Sequence, residues 1–583
     1  MRQFSRGSEL GALAGRLGVA ALVIAVAACS DNNGGGGPSE PDPPTGLAVQ
    51  QLSLTSAHIS WDAVAGADRY VLERAASPNL TSYTDIGGAA LTTTSFDDLG
   101  LTEGLEYSYR VSTVEGTATS AGSAGVSFTS GLKAATINTN VTADRTLFSD
   151  TVYTLAGFIQ VGNGATLTIQ PGTTIVGSEA VPGSALFVLR GAKIEANGTA
   201  TDPIVFTSAR AAGGRAPGDW GGLILLGNGN LNRTATNCTT EGPAASAQNY
   251  CKASAGDFDD NDDSGTIRYV RIEFAGFDIG GTGGKELNSL TMYRVGRGTT
   301  LEYIQSMSGL DDSFEWFGGN VDARYLVSYE AGDDHFDWTE GYRGRNQFLI
   351  AFQTQRLTPS TLNPTGQFSS DPRGFEGDGC DAAANVDCTF DSEPFSVPVF
   401  ANFTVVGPGN LAGLSSTLRN VSGATIRRGS GGVLINGIIG RWKGYCLNVQ
   451  DPETDVRRQV DSLNVVDIVF AECLGGNYDL GNAPTELAGQ PTIWDASNHR
   501  TQAGNGLSDL ITSLNPVSLN WAPVGGSVAT LGGSGDAANG GVAITVTARF
   551  NNFFGAGLPQ TAYVGAAGPG DSWWTGWTAY NIN

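Results

Sequence analysis

From about Ala134 to the C-terminus, apolar positions come in short runs that alternate with polar ones and stop at Gly, Pro or Asn. GATLTIQPGTTIVG (164–177), GSALFVLRGAKIEANG (183–198), DPIVFTSA (202–209) and DWGGLILLGNGNLN (219–232) show the pattern. A period of two predicts strands, and strand follows strand without the longer 3.6-residue periodicity of crossover helices.

The pattern also repeats. LEYIQSMSGLDDSFEWFGGNVD (Leu301–Asp322) is followed without a gap by ARYLVSYEAGDDHFDWTEGYRG (Ala323–Gly344), with seven identical positions: Tyr303/Tyr325, Ser306/Ser328, Asp311/Asp333, Asp312/Asp334, Phe314/Phe336, Trp316/Trp338 and Gly319/Gly341. Strand-like runs and Gly-rich corners at this period predict a β-solenoid, whose coils bury their apolar faces only by stacking on one another. A leucine-rich repeat would need a Leu ladder that the sequence lacks. The expected fold class is therefore all-β.

If Phe314 and Trp316 face inward, Ser313 and Glu315 face outward with Asp311 beside them. One coil on stand Asp333, His335 and Asp337. Coils stack at about 4.8 Å, so Asp311 is expected over Asp333, Ser313 over His335 and Glu315 over Asp337. RGFEGDG (373–379) echoes the Phe-acid step and extends the grid with Glu376 and Asp378. Two carboxylates about 5 Å apart repel by about 3 kcal/mol at an effective dielectric of 20. Such a grid calls for a cation, a shared proton or basic neighbours, for which Arg343 and Arg345 are candidates. Three readings follow: a calcium site built from carboxylate oxygens; a polysaccharide lyase or glycoside hydrolase using Glu315, Asp337 and a basic residue such as Arg343; or acids that cap turns while Phe and Trp stack in the core.

Charge narrows the ligand. With 33 Lys and Arg against 57 Asp and Glu, the net charge of -24 repels nucleic acid and anionic headgroups. A neutral polysaccharide, or an anionic ligand bridged by cations, fits better. A second oxygen-rich element is DFDDNDDSG (257–265), in which Asp257, Asp259, Asn261 and Asp263 alternate like the first ligands of an EF-hand. Asp262 stands where that loop requires Gly, and Arg268 where it ends in Glu. The alternatives are a looser calcium loop and a solvated acidic one. Arg427, Arg428 and Lys443 are expected to pair with nearby acids. The tail, with Trp573, Trp574 and Trp577, is expected to cap the open end of the solenoid.

At the N-terminus, Arg2, Arg6 and Arg16 precede an apolar run over 17–28 that is too short to cross a bilayer of about 30 Å as a helix. The run ends Val26-Ala27-Ala28-Cys29 and resembles the lipobox of bacterial lipoproteins. That resemblance implies removal of residues 1–28, acylation of Cys29 and, with Ser30 next, sorting to the outer membrane on a face the sequence does not name. Residues 29–45, rich in Gly, Pro and Asp, read as a disordered tether. Six further cysteines, an even number, suit an oxidising compartment. Sequence proximity suggests Cys238–Cys251, Cys380–Cys388 and Cys446–Cys473 among the possible pairings. No CxxC pair occurs and only three His are present, which argues against zinc.

Residues 46–130 resemble a fibronectin type III domain: Trp61 in HISWDAV, Tyr70 in RYVLER, and LTEGLEYSYRVSTV (101–114), whose Leu101, Gly104 and Tyr107 stand where that family has its tyrosine corner. The resemblance implies a spacer, or a protein or glycan contact. From 134 to 583, the motifs ATLTIQPGTTIVG, GAKIEANGTATDPIVFTS, GDWGGLILLG, DDSFEWFGG, DDHFDW and WTGW resemble a family of bacterial, often lipid-anchored, right-handed parallel β-helix proteins with a C-terminal cap. The resemblance implies the fold and brings no activity residue by residue. The functional expectation is a lipid-anchored cell-envelope protein whose β-helix binds polysaccharide or another extracellular ligand, with calcium as the candidate cofactor and an outer-membrane protein as a further candidate partner. A polysaccharide lyase or hydrolase, and a surface scaffold or adhesin, are the alternatives.

Overall fold

A computed structural model describes residues 40–581, apart from 54, 244–246, 281–285, 381–386, 461, 480–498, 502–505 and 534–550. Cys29, the signal segment and most of the tether lie outside the described residues. The chain divides after Ser130 into two units.

The first unit is a β-sandwich. One antiparallel sheet holds Ala48–Ser53, Ser56–Ser60 and Ser95–Leu99, and the other is built around Arg69–Ala76 and Glu106–Glu115. Alternate residues of these strands meet in one core with Trp61, Tyr70, Leu72, Tyr109 and Val111. The Tyr107 hydroxyl accepts the Thr102 amide at 2.7 Å, the backbone tie expected of a tyrosine corner.

The second unit is a parallel β-helix. A broad sheet runs from Lys133–Ile137 to His499–Thr501, and a second sheet from Phe158–Val161 to Gly476–Asp479, both with parallel neighbours along their main order. The tandem repeat lies in exact register. Phe314 pairs with Phe336 and Trp316 with Trp338. Their rings face inward with Phe375 and Phe400, and Phe314, Phe336 and Phe375 stack at 5.5 and 5.3 Å between successive centroids. Gly377 takes the next place after Trp338 because a Cβ there would lie 2.2 Å from the indole.

The broad-sheet strands bend part-way along their length. Tyr269, Tyr303, Tyr325, Phe348, Asn402, Asn436 and Asp467, which fall in successive coils, all have φ between 48° and 62°. A left-handed residue costs a non-glycine side chain about 1–2 kcal/mol. Stacking offsets it in the aromatic part, where Tyr269, Tyr303, Tyr325 and Phe348 lie 4.3, 4.3 and 4.9 Å apart. In later coils Asn and Asp take over, residue types that tolerate this conformation best.

The tail does not close the end of the solenoid. It runs along the outside of the broad sheet: Gly565 donates its amide to Asn436, Trp573 packs on Tyr325, and Trp577 meets Tyr269 and Tyr303 edge-on. Trp577 is fully buried against the tyrosine ladder. The three disulfides are Cys238–Cys251, Cys380–Cys388 and Cys446–Cys473, the pairings suggested by proximity.

Candidate functional site

The outward positions of the second sheet form a column across the coils: Thr291, Glu315, Asp337, Glu376 and Thr425 are successive register partners. The alternation Phe-acid-Trp puts rings in the core and carboxylates outside. Glu315 therefore stands over Asp337, and Asp337 over Glu376, as the repeat implied.

Just before these strands the chain turns a corner, and there alternation fails. Ser313 and His335 both point inward. The Ser328 hydroxyl lies 2.6 Å from the Ser313 hydroxyl and 2.6 Å from His335 Nδ1, and all three residues are fully buried. Burial holds the His335 imidazole neutral, with a pKa near 3. His335 thus belongs to the core beside Trp442 and not to the acidic face. A corner breaks the strand's period of two, so counting back from Phe314 gives the wrong side.

At the same corner Asn288, Asp312 and Asp334 form a ladder. The Asp312 amide donates to Asn288 Oδ1 at 3.1 Å, the Asp334 amide to Asp312 Oδ1 at 2.8 Å, and the Arg373 amide to Asp334 Oδ1. Each side chain satisfies a buried backbone donor of the next coil. Asp312 and Asp334 are identical across the repeat, which was the sequence signal for this role.

Column and corner ladder, with Asp311 and Asp333 beside them, gather seven carboxylates. Oxygens of Asp311, Asp312 and Asp333 lie within 4.8 Å of one another, as do those of Asp312, Glu315 and Asp337, and those of Asp334, Asp337 and Glu376. Glu241 reaches in from the segment after Leu226, and Asn288 Nδ2 bridges it to Glu315. The cluster is electrically lopsided. At one end, Arg373 contacts Glu376 at 2.7 Å and Asp334 at 3.3 Å, Arg427 pairs with Glu376 and, at 2.8 Å, with Asp378, and Arg428 pairs with Asp378. At the other end, Asp311, Asp312, Glu315, Asp333 and Asp337 have no ion-pair partner among the described residues. One oxygen each of Asp333 and Asp337 is sealed from solvent without a hydrogen bond.

Proton affinities follow this asymmetry. Burial, then the neighbouring carboxylates, pushes Asp311, Asp312, Glu315 and Asp337 well above the usual carboxylate range. Burial lifts Asp333 to about 7 against the pull of Arg373, and Glu241 to about 8. Glu376 is also buried, but Arg373 and Arg427 outweigh that and hold it at about 2. Asp311, Asp333 and Asp337 keep part of their surface in solvent, so the cluster is reachable.

The expected basic neighbours are elsewhere. Arg343 pairs with Asp260 at 3.3 Å and Arg345 with Asp322, on the far side of the corner after Thr339. Their place at the acids is taken by Arg373, from the quoted motif RGFEGDG, and by Arg427 and Arg428. The loop 257–263 does not gather its oxygens. Asp257, Asp259 and Asp263 each accept a nearby backbone amide, Lys193 pairs with Asp263, and Asn261 is exposed. Lys443 donates to the Leu414 carbonyl at 2.9 Å rather than to an acid.

Among curated proteins, the poly(3-hydroxybutyrate) depolymerase of Ralstonia pickettii is 43% identical over 75 residues, 13% of this chain and 14% of that protein. The chain thus spans only a small part of that relative. Among solved structures, an Fn3-like protein from Clostridium thermocellum is 32% identical over 15% of this chain and 92% of its own, with a TM-score of 0.14. A myokine is 24% identical over 16% of this chain and 98% of its own, with a TM-score of 0.15. Residues 138–508, most of the β-helix unit, match the pectate-lyase-like β-helix domain, and the chain belongs to that family.

Proposed function

We propose that this is an exported, lipid-anchored cell-envelope protein whose β-helix holds a divalent cation of the calcium class on the acidic column and uses it to bind an extracellular polysaccharide. The unpaired end of the column carries the proposal. Calcium takes oxygens at 2.3–2.6 Å, so opposite ligands stand about 5 Å apart. Three interlocking triads, in each of which one oxygen per residue lies within 4.8 Å of the other two, suit that span. A bound cation also gives the sealed oxygens of Asp333 and Asp337 a partner. The fibronectin-like sandwich fits a spacer between anchor and β-helix.

Calcium titration of the full chain, followed by calorimetry, tests this reading. Saturable binding is expected, and Glu315→Gln with Asp337→Asn should abolish it while the fold is retained. Absence of calcium binding in the wild type refutes it.

One observation favours a second reading. Asp337 is pushed to the protonated side while its register partner Glu376 stays ionised, and environments that split two carboxyls in this way suit a general acid beside a nucleophile or stabiliser. The depolymerase relative adds a polymer-directed protein to the comparison. Release of reducing ends or of unsaturated products from a polysaccharide panel, lost in Glu376→Gln, would establish it.

A further inference from the structure

Beyond the corner after Thr339, a pocket of about 340 Å³ opens between Asp260, Arg297, Asn320, Arg343 and Arg345, with Val397 and Val399 as its apolar wall. The volume lies at the lower end of the roughly 300–1,000 Å³ typical of small-ligand sites. In a chain of net charge -24, three guanidinium groups in one pocket need an explanation.

Local acids account for two of the three charges. Asp322 is buried and binds Arg345 through Nε at 2.9 Å and through Nη2. The same carboxylate lies 3.5 Å from Arg297, so two guanidinium groups share one anion. Arg343 has a single contact to Asp260 at 3.3 Å. Nearby acids are engaged elsewhere, Asp262 by Asn228 and Asp263 by Lys193. The pocket therefore keeps an excess positive charge. Its polar groups are also unsatisfied: Nε of Arg343 and Oδ1 of Asn320 are sealed from solvent and have no hydrogen-bond partner among the described residues, and the sealed Nε of Arg297 faces only the shared Asp322 carboxylate at 3.5 Å. Buried polar atoms of this kind are normally paired, so each is a place for a ligand or water atom.

We propose that this pocket binds a sugar acid. Forked guanidinium donors match a carboxylate. The orphaned Asn320 oxygen and the Asp260 carboxylate are acceptors, which a second anion cannot use and ligand hydroxyls can. Val397 and Val399 give an apolar wall for the C–H face of a sugar ring. The site uses none of the column carboxylates and needs no cation.

The test is calorimetric titration of the full chain with D-glucuronate in excess chelator, with D-glucose and sulfate as comparison ligands. Glucuronate should bind saturably, sulfate more weakly, and glucose not measurably. Arg297→Gln and Arg343→Gln should each weaken glucuronate by about tenfold or more, with thermal midpoints unchanged because both side chains are partly exposed. Arg343→Lys keeps the charge without the planar fork and should also bind more weakly. No saturable glucuronate binding, equal affinity for glucose, or wild-type affinity in both glutamine variants would overturn the proposal. The chelator separates this outcome from the fate of the cation reading.

Discussion

In chelator, raising the pH from about 4 to about 7 should destabilise the β-helix unit, and calcium should cancel the effect. Asp311, Asp312, Glu315, Asp333 and Asp337 bind protons more tightly folded than unfolded, with Asp333 at about 7. A carboxyl raised in this way is fully stabilising only below its unfolded pKa of about 4, and that contribution is lost as pH climbs towards the folded value. The cause is mutual repulsion added to burial. Two carboxylate oxygens within 4.8 Å of each other repel by at least about 3.5 kcal/mol at an effective dielectric of 20, so ionising even one further member is expensive. A cation reverses the sign by favouring every ionised form. At about a hundred times its dissociation constant, calcium adds about 2.7 kcal/mol. With an unfolding entropy of about 2.1 cal/mol/K per residue over about 450 residues, this is a rise of about 3 °C in thermal midpoint. The assay is a series of melts from pH 4 to 7, with chelator and with calcium, followed by intrinsic tryptophan fluorescence, to which all ten tryptophans contribute, Trp316 and Trp338 just beneath the column among them. Glu315→Gln with Asp337→Asn should flatten the chelator series and abolish the calcium gain. Equal midpoints across the chelator series in the wild type would refute the reasoning.

The corner ladder and the covalent features give three further tests. Asp312→Ala leaves the Asp334 amide without its acceptor and should lower stability by about 1–3 kcal/mol in denaturant titration, whereas Asp312→Asn keeps the acceptor, removes a group that is costly to ionise there, and should be neutral or stabilising in chelator. Replacing Cys446 and Cys473 by Ser opens a loop with a sequence separation of 27, a loss of about 3.5 kcal/mol by loop entropy; an unchanged midpoint under the same titration would contradict it. Mass spectrometry of membrane-extracted protein should find an acyl group on Cys29, and a soluble mature chain with a free Cys29 thiol would exclude the anchor.

Much of the fold was legible in the chain. Stacking identical residues on one another is the whole structural logic of a solenoid, so the tandem at 301–344 carried period, register and the Glu315–Asp337 step, and the Phe-acid echo in RGFEGDG extended the column to Glu376. Within straight strands, period two assigned Phe314 and Trp316 to the core and Glu315 to the outward face of the sheet, where neighbouring segments bury it. The proximity of cysteines along the chain gave all three disulfides, because each closes a local insertion or a single coil.

What the sequence could not decide lies at corners and across long separations. Ser313 and His335 turned inward because a corner resets the side-chain direction, and no local pattern marks which residue does so. The tail's path along the tyrosine ladder depended on seven bends aligning on one face, a property of the stacked coils and not of any single strand. Which arginines meet which acids was likewise settled by the fold. Arg343 is only six residues from Asp337 in sequence, yet the corner between them carries it to another side, while Arg427, distant in sequence, arrives on the neighbouring strand. Charge partners are chosen by distance in space, and in a solenoid the shortest such distance runs between coils.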